Sequence, residues 1–290
     1  MKKLSRKQIK IINNWWYIPQ EIGALCAGIK PGMLEGGIDL SESENKFSNA
    51  IKRLDLKYSK MEPNFSVLAQ ELIAISDKKD VCDKIIEYRI GKGEQWDLLG
   101  RELGYPDCCV NAHSEKLGKN GRNLSSPFFV DDGKNIIQTD FRLNTLLNFS
   151  SYTYSEKNND RNNWMKVVKS KIMTHVYYLI HIPCSLECEK TKKQAIKIER
   201  MMDRHFPKKN KYYKKALKKG FFILDPAKYA TFDYKIKKDK VKIYNLKFFP
   251  TVNQKEAEKI KEVDHFFIKN NDVVIPSNSK INFKKIALFS

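Results

Sequence analysis

The chain has 290 residues, of which 54 are lysine or arginine and 34 are aspartate or glutamate, so its formal net charge at pH 7 is +20. A hydrophobic share of 41% is enough for a buried core and excludes a largely disordered, collagen-like or low-complexity protein. No apolar run approaches the roughly 18 residues of a membrane-spanning helix, and the basic N-terminus lacks the features of a secretory signal. We therefore expect a cytoplasmic protein with no membrane partner.

The first hundred residues show mainly helical patterns. Apolar side chains recur at helical spacing, and they predict helices over 7–17, 49–56, 66–75, 81–90 and 93–104, with a Gly/Pro-rich loop over 29–38. Gly104 followed by Pro106 is a helix-stop signal. Residues 116–163 are rich in asparagine, serine, glycine and aspartate, and this composition predicts irregular surface structure around a few short elements.

The second half of the chain changes from helical to strand patterns. Residues 176–182 are β-branched and aromatic, which predicts a buried strand, and residues 185–206 have the apolar spacing of a helix. A basic helix follows Pro207. Alternating apolar residues predict hairpins over 229–249 and 266–276, and Asn253 is a suitable cap for a short helix between them.

These patterns predict an α+β fold. We expect a helical N-terminal part, a central cysteine-bearing α/β core with cysteines at a strand-to-helix junction, and a β-rich C-terminal tail. The corresponding regions are a mainly helical region over 1–104, a cysteine-motif core over 105–207, and a basic helix with β-rich structure over 208–290.

The positive charge is concentrated in one segment. Residues 189–247 carry 20 basic and 6 acidic side chains. Clustered lysines attract polyanions by releasing counterions, and tyrosines between them can stack on unpaired bases. The candidate nucleic-acid-binding residues, with RNA as the expected partner, are Lys208, Lys209, Lys211, Tyr212, Tyr213, Lys214, Lys215, Lys218 and Lys219. The alternative is a solvated helix in a protein in which lysine outnumbers arginine throughout.

Four of the six cysteines form two close pairs. Cys108 and Cys109 lie in LGYPDCC, and Cys184 and Cys188 lie in HIPCSLEC. In a reducing compartment such thiols are more often metal ligands or reactive groups than disulfides. If Ser185 caps the following helix, Cys188 lies in its first turn, where the helix dipole favours a thiolate. We therefore predict that all four cysteines belong to one metal site.

The identity of the metal is left open by the spacing. Three or four thiolates suit an iron–sulfur cluster, which is the leading interpretation, and a tetrahedral thiolate set suits zinc equally well. The radical-SAM pattern C-x3-C-x2-C fails, because its third position is occupied by Thr191. We expect one of Cys108 and Cys109 to ligate most directly, which leaves an open coordination position. His113 can replace a sulfur in a zinc site, and a third interpretation is buried or redox-active thiols without a metal.

Other candidate groups are weaker. His181 can donate a hydrogen bond to a metal centre or act as an acid, although a histidine on an apolar strand is more often a core residue. Asp107 beside Cys108 is a candidate proton acceptor, although an aspartate after proline is more often part of a turn. Cys26 and Cys82 sit in helical patterns and are interpreted as core thiols. P-loop, dinucleotide-binding, HExxH and GxSxG motifs are absent.

The two cysteine motifs resemble those of an uncharacterised, mostly archaeal protein family with LGYPxCC and HxPCSxxC signatures. The resemblance covers about a third of the chain and carries over to Tyr105, Pro106, Cys108, Cys109, His181, Pro183, Cys184, Ser185 and Cys188. It implies that both cysteine pairs belong to one site and implies nothing about the substrate.

Taken together, these patterns predict a cysteine-ligated metalloprotein. The leading interpretation is an iron–sulfur enzyme that acts on RNA by sulfur transfer or another modification. The alternatives are a zinc-stabilised nucleic-acid-binding protein without catalysis and a thiol redox protein. All metal-based interpretations require the two cysteine pairs to lie within about 10 Å of each other, since metal–sulfur bonds are about 2.3 Å long.

Overall fold

The computed structural model describes residues 2–15, 19–36, 44–61, 72–90, 95–120, 136–144, 177–181, 183–225, 228–248, 252–270, 272–276 and 285–290. The described residues divide into two compact units. The first comprises Met1–Asn123 with Glu189–Asn210, and the second comprises Leu124–Cys188 with Lys211–Ser290. Each contains helices and a sheet, which confirms the α+β class. The three consecutive regions inferred from the sequence stay a prediction.

The first unit combines helices with a small antiparallel sheet. Its helices are α1 (Arg6–Trp15), α2 (Pro19–Cys26), α3 (Glu44–Arg53), α4 (Lys79–Ile90), α5 (Trp96–Glu102), α6 (Asp107–Asn120) and α7 (Glu189–His205). Its strands are β1 (Gly32–Gly36), β2 (Lys57–Met61) and β3 (Leu72–Ser76), in the order β1-β3-β2. Helix α4 packs on β2 and β3, and Cys82 and Ile85 enter the core there.

Two predictions for this part of the chain were wrong. The loop over 29–38 contains strand β1, which pairs with β3 from Gly32 to Gly36. The helix over 66–75 is a strand where it is described, since β3 begins at Leu72, and residues 66–71 lie outside the described part. The strand β3 is buried along its whole length between two neighbours, so it has no polar side to produce an alternating pattern.

A buried ion pair lies next to the segment that leads into α6. Lys30 pairs with Glu21, both side chains being only 4% exposed, and the Lys30 ammonium lies 5.8 Å from the ring centre of Tyr105. Burial, and secondarily the charge of Glu21, raise the pKa of the Glu35 carboxyl to about 7. The pair holds Lys30 against Tyr105, three residues before Cys108.

The second unit is built on a seven-stranded sheet. Its strands are β4 (Ile136–Thr139), β5 (Gly220–Asp225), β6 (Lys228–Lys237), β7 (Lys240–Phe248), β8 (His265–Lys269), β9 (Asp272–Val274) and β10 (Lys285–Phe289), in the order β4-β10-β5-β6-β7-β8-β9. Among the strand pairs described in this sheet, β4–β10 is parallel and the others are antiparallel. Helix α8 (Pro207–Leu217) precedes β5 in the chain. The short helix α9 (Gln254–Lys261) places Ile260 in the core under β6 to β8.

Both predicted hairpins are confirmed. Strands β6 and β7 turn at Lys238 and Asp239, with Lys238 at a φ of 56°, and β8 and β9 form the second hairpin. Asn253 caps α9 as predicted, since its side chain accepts a hydrogen bond from the Glu256 N–H while the Glu256 side chain accepts one from the Asn253 N–H. Within the described residues no helix is long and apolar enough to cross a membrane.

The predicted strand over 176–182 is not a strand where it is described. Residues 177–181 have irregular backbone, and residues 176 and 182 lie outside the described part. Tyr177, Tyr178 and Leu179 are nevertheless fully buried. Tyr178 packs against the rings of Phe141 and Tyr213, with ring centres 6.2 Å away in both cases. The apolar character of this segment therefore reflects its burial and does not indicate pairing in a sheet.

Candidate metal centre

The first cysteine pair lies in the first turn of α6. The chain turns from α5 into α6 at Gly104, which has a φ of 75°, and α6 then begins at Asp107. The N–H groups of Cys109 and Val110 both donate to the Pro106 carbonyl, at 2.8 and 3.0 Å. Cys108 and Cys109 are thus the second and third residues of a 14-residue helix, where backbone N–H groups and the helix dipole favour negative charge.

The second pair flanks a tight turn directly before α7. The Cys188 N–H donates to the Ser185 carbonyl at 3.2 Å, and the Glu187 N–H donates to the Ser185 hydroxyl at 3.3 Å. Ser185 therefore closes this turn and does not cap α7, which begins only at Glu189. The prediction that Cys188 lies inside the first helical turn was wrong by one residue, but Cys188 still adjoins the N-terminus of a helix.

The four sulfur atoms of these two pairs form one group. All lie within 4.8 Å of one another, and the Sγ atoms of Cys108 and Cys109 are 3.9 Å apart. Cys109 and Cys188 are buried, while Cys108 and Cys184 are half-buried. The requirement that the two pairs lie within about 10 Å is met, so the group can bind a metal.

A hydroxyl group supports this cluster. The side chain of Thr191, which is fully buried in the first turn of α7, lies 3.1 Å from the Cys109 sulfur. A thiolate can only accept a hydrogen bond, so Thr191 donates to Cys109 when a metal is bound. The sequence reasoning missed this residue. Its available signal was its position three residues after Cys188, in the first turn of the same helix.

A family model described as a protein of unknown function (DUF483) matches residues 69–218, which is just over half of the chain. The chain belongs to this family. The DUF483 match includes all four clustered cysteines, and it extends to the end of the basic helix that follows Pro207. Strands β6 to β9 lie beyond it. No curated protein and no solved structure matches the chain.

The other predicted site residues are not members of the sulfur group, which among the described residues consists of the four cysteines. His113 lies on α6 one turn beyond Cys109 and is half-buried. His181 is buried, with 5% of its surface exposed. Asp107 has a largely exposed side chain that pairs with Arg101 at 3.2 Å. The catalytic roles of His181 and Asp107 stay predictions.

Cys26 and Cys82 lie outside the group and have the properties of core thiols. Burial raises the pKa of the Cys26 thiol to about 12 and that of Cys82 to about 11. Cys82 donates to the backbone carbonyls of Lys57 and Lys78, at 3.5 and 3.4 Å. Both thiols are therefore protonated at neutral pH, unlike metal ligands.

The predicted nucleic-acid-binding residues lie on and just after α8 (Pro207–Leu217). Lys208, Lys211, Lys215 and Lys218 are exposed, as is Tyr212. Several others have structural roles, which narrows the surface available to a polyanion. Tyr213 is buried against Tyr178, Lys219 pairs with Asp233, and burial lowers the pKa of Lys209. Lys214 is half-buried.

Proposed function

We propose that the protein binds a single metal ion, most favourably Zn²⁺, through the thiolates of Cys108, Cys109, Cys184 and Cys188. The observation that carries this proposal is the mutual approach of the four sulfurs to within 4.8 Å. In a tetrahedral site with metal–sulfur bonds of about 2.3 Å, neighbouring sulfurs are about 3.8 Å apart. The widest separation therefore has to shrink by only about 1 Å, a distance that side-chain rotation supplies.

The same spacing favours one ion over an iron–sulfur cluster. Each iron of a four-iron cluster binds one thiolate at the periphery, so the ligating sulfurs are spread farther apart than around a single ion. The vicinal pair supports a single ion as well, because the distance of 3.9 Å between Cys108 and Cys109 is close to one edge of the tetrahedron. The iron–sulfur enzyme predicted from the sequence needs an iron with an open coordination position, whereas four cysteines around a single ion leave no position open.

Local electrostatics support thiolates at this place. Two helix N-termini adjoin the sulfurs, since Cys108 and Cys109 lie in the first turn of α6 and Cys188 directly precedes α7. Each N-terminus carries a partial positive charge from the aligned peptide groups of its helix. Four thiolates around one divalent ion have a net charge of about −2, which these groups and the Thr191 hydroxyl partly offset. Four protein ligands also close the coordination sphere, which is typical of structural zinc.

Metal analysis of anaerobically purified, tag-free protein tests this proposal. We expect one equivalent of zinc in the wild type and loss of that zinc in Cys184→Ser/Cys188→Ser. Cys26→Ser, which removes a thiol outside the group, serves as the matched control and should retain the metal. A brown protein with several irons and inorganic sulfide would show that the cysteines bind an iron–sulfur cluster and not zinc. A metal-free protein with a reactive low-pKa thiol would overturn the metal site and favour the thiol redox interpretation.

A further inference from the structure

The solvent side of strands β6 to β9 carries a row of lysines and aromatic rings. Residues directly opposite each other in an antiparallel sheet share a face, and the register pairs Lys235 with Lys242, Lys237 with Lys240, and Lys240 with Phe267. We call this side the lysine face. Its members are Asp233, Lys235, Lys237, Lys240, Lys242, Tyr244, His265, Phe267, Lys269, Asp272 and Val274.

The opposite side of the same strands explains why this face points outward. Val241 and Phe266 are fully buried in the core, with Ile243 close to them and Ile260 of α9 packed beneath. The alternation of buried and exposed residues along β7 is regular from Lys240 to Ile243. The five lysines therefore lie on a well-packed support, and all of them are exposed.

The charge arrangement on this face is unfavourable for the isolated protein. Lysines stand directly opposite lysines at two positions of the β6–β7 ladder, separated by the Ile236–Val241 pair that faces the other side, and like charges placed in this way destabilise a sheet. The two aspartates of the face are already engaged. Asp233 pairs with Lys219 and accepts from Asn245, and Asp272 accepts from the Val273 N–H at 2.8 Å. Bound anions would relieve this repulsion.

Two half-buried aromatic rings lie among these lysines. The Tyr244 ring centre is 5.8 Å from the Lys235 ammonium and 5.6 Å from that of Lys242. The Phe267 ring centre is 5.7 Å from the Lys240 ammonium and 6.0 Å from that of Lys269. Each ring thus has two ammonium groups over it. When a base stacks on the ring, these flexible lysine side chains move aside and contact the neighbouring phosphates.

We propose that the lysine face binds single-stranded nucleic acid, with its phosphates at the lysines and its bases stacked on Tyr244 and Phe267. This face shares no residue with the set predicted on and just after α8, although its Asp233 pairs with Lys219 of that set, and it includes none of the four clustered cysteines. A duplex fits less well, because its bases are already stacked on one another. Contacts of this kind need no 2′-hydroxyl, so we expect RNA and DNA single strands to bind alike.

Fluorescence anisotropy with labelled oligouridine and oligothymidine, measured over a series of salt concentrations, tests this inference. Lys235→Glu/Lys240→Glu/Lys242→Glu should weaken binding at least about tenfold near 0.1 M salt and flatten the salt dependence, since each lost phosphate contact removes about 0.7 from the slope of log K against log salt. The matched control is Lys197→Glu/Lys208→Glu/Lys211→Glu on α7 and α8, three exposed lysines whose replacement changes the net charge equally and should retain most of the affinity.

The aromatic rings have their own test. Tyr244→Leu and Phe267→Leu should each weaken binding several-fold at every salt concentration without changing the slope, because stacking involves no counterion release. Circular dichroism establishes that each variant is folded. The proposal is overturned if the wild type does not bind either oligonucleotide, if both lysine triples weaken binding equally, or if vesicles of anionic lipid bind the face more tightly than the single strands do.

Discussion

At the scale of single residues, the sulfur group depends on a neighbour that is not a ligand. The Thr191 hydroxyl lies 3.1 Å from the Cys109 sulfur and is fully buried, so water cannot take its place. Hydrogen bonds from surrounding side chains orient thiolate ligands and adjust their basicity. Thr191 therefore connects the first turn of α7 to a cysteine in the first turn of α6.

Replacing Thr191 with valine isolates this hydrogen bond. The two side chains have the same shape, so we expect Thr191→Val to remain folded and to bind one metal ion with about 10-fold to 100-fold lower affinity. Competition with a chelator of known affinity measures the change. Thr191→Ser keeps the hydroxyl and should stay within a few-fold of the wild type. Equal affinities of the wild type and Thr191→Val would show that the hydroxyl does not support a ligand.

The site was more predictable from the sequence than the elements that hold it. Two close pairs of cysteines in a chain expected to be reduced, together with the resemblance of both motifs to one family, predicted a shared site, and the four sulfur positions support that prediction. Thr191 was harder to predict, because its position just after Cys188 places it near the site, but only the tertiary structure shows that its hydroxyl reaches the Cys109 sulfur. The same reason applies to the lysine face, since only the strand register shows which lysines share a side with Tyr244 and Phe267.

At the scale of elements, predictions succeeded where local signals decide the structure and failed where burial does. The β6–β7 hairpin and α9 have clear alternation and a capping box, and both were predicted. The strand β3 and the segment 177–181 are buried runs, and an apolar run alone does not distinguish a strand, a helix and an irregular buried segment. Tertiary contacts decide which of these three structures a buried apolar run adopts.

The turn between α5 and α6 is the element that places the first cysteine pair. Gly104 has a φ of 75°, and a Cβ atom added there would lie 2.4 Å from Cδ of Pro31. Its carbonyl accepts a hydrogen bond from the Gln194 side chain of α7 at 2.9 Å. A side chain at this position would push the turn away from both Pro31 and α7.

Gly104→Ala should therefore destabilise the protein and weaken metal binding together. Gly28→Ala is the matched control, since Gly28 has a similar φ of 66° but no atom within 4 Å of the added Cβ. We expect Gly28→Ala to cost about 1 kcal/mol of unfolding free energy, the cost of the backbone conformation alone, and Gly104→Ala to cost at least about twice as much. Denaturant unfolding measures the change in stability, and metal titration measures the change in affinity. Equal losses of unfolding free energy in the two variants would show that Pro31 moves aside without a measurable cost.

At the scale of the whole molecule, the cysteine group proposed to bind the metal combines segments that are remote in the sequence. Cys109 and Cys184 are separated by 75 positions. Bringing them together in the absence of a ligand costs loop-closure entropy, and four nearby thiolates repel one another. A bound ion reverses that repulsion and adds its binding free energy to the stability of the folded state.

Removing the ion should therefore lower the thermal stability of the entire chain. An ion present at about 1,000 times its dissociation constant stabilises the folded state by about 4 kcal/mol, which for a chain of this size is a shift in melting temperature of about 7 °C. We expect this loss when the wild type is treated with a strong chelator, and recovery when zinc is added back. Calorimetry measures both changes. Cys184→Ser/Cys188→Ser should melt near the chelated wild type and should not respond to chelator or zinc, because it lacks two of the four ligands. If the variant responds to zinc as the wild type does, the stabilising ion binds elsewhere on the chain.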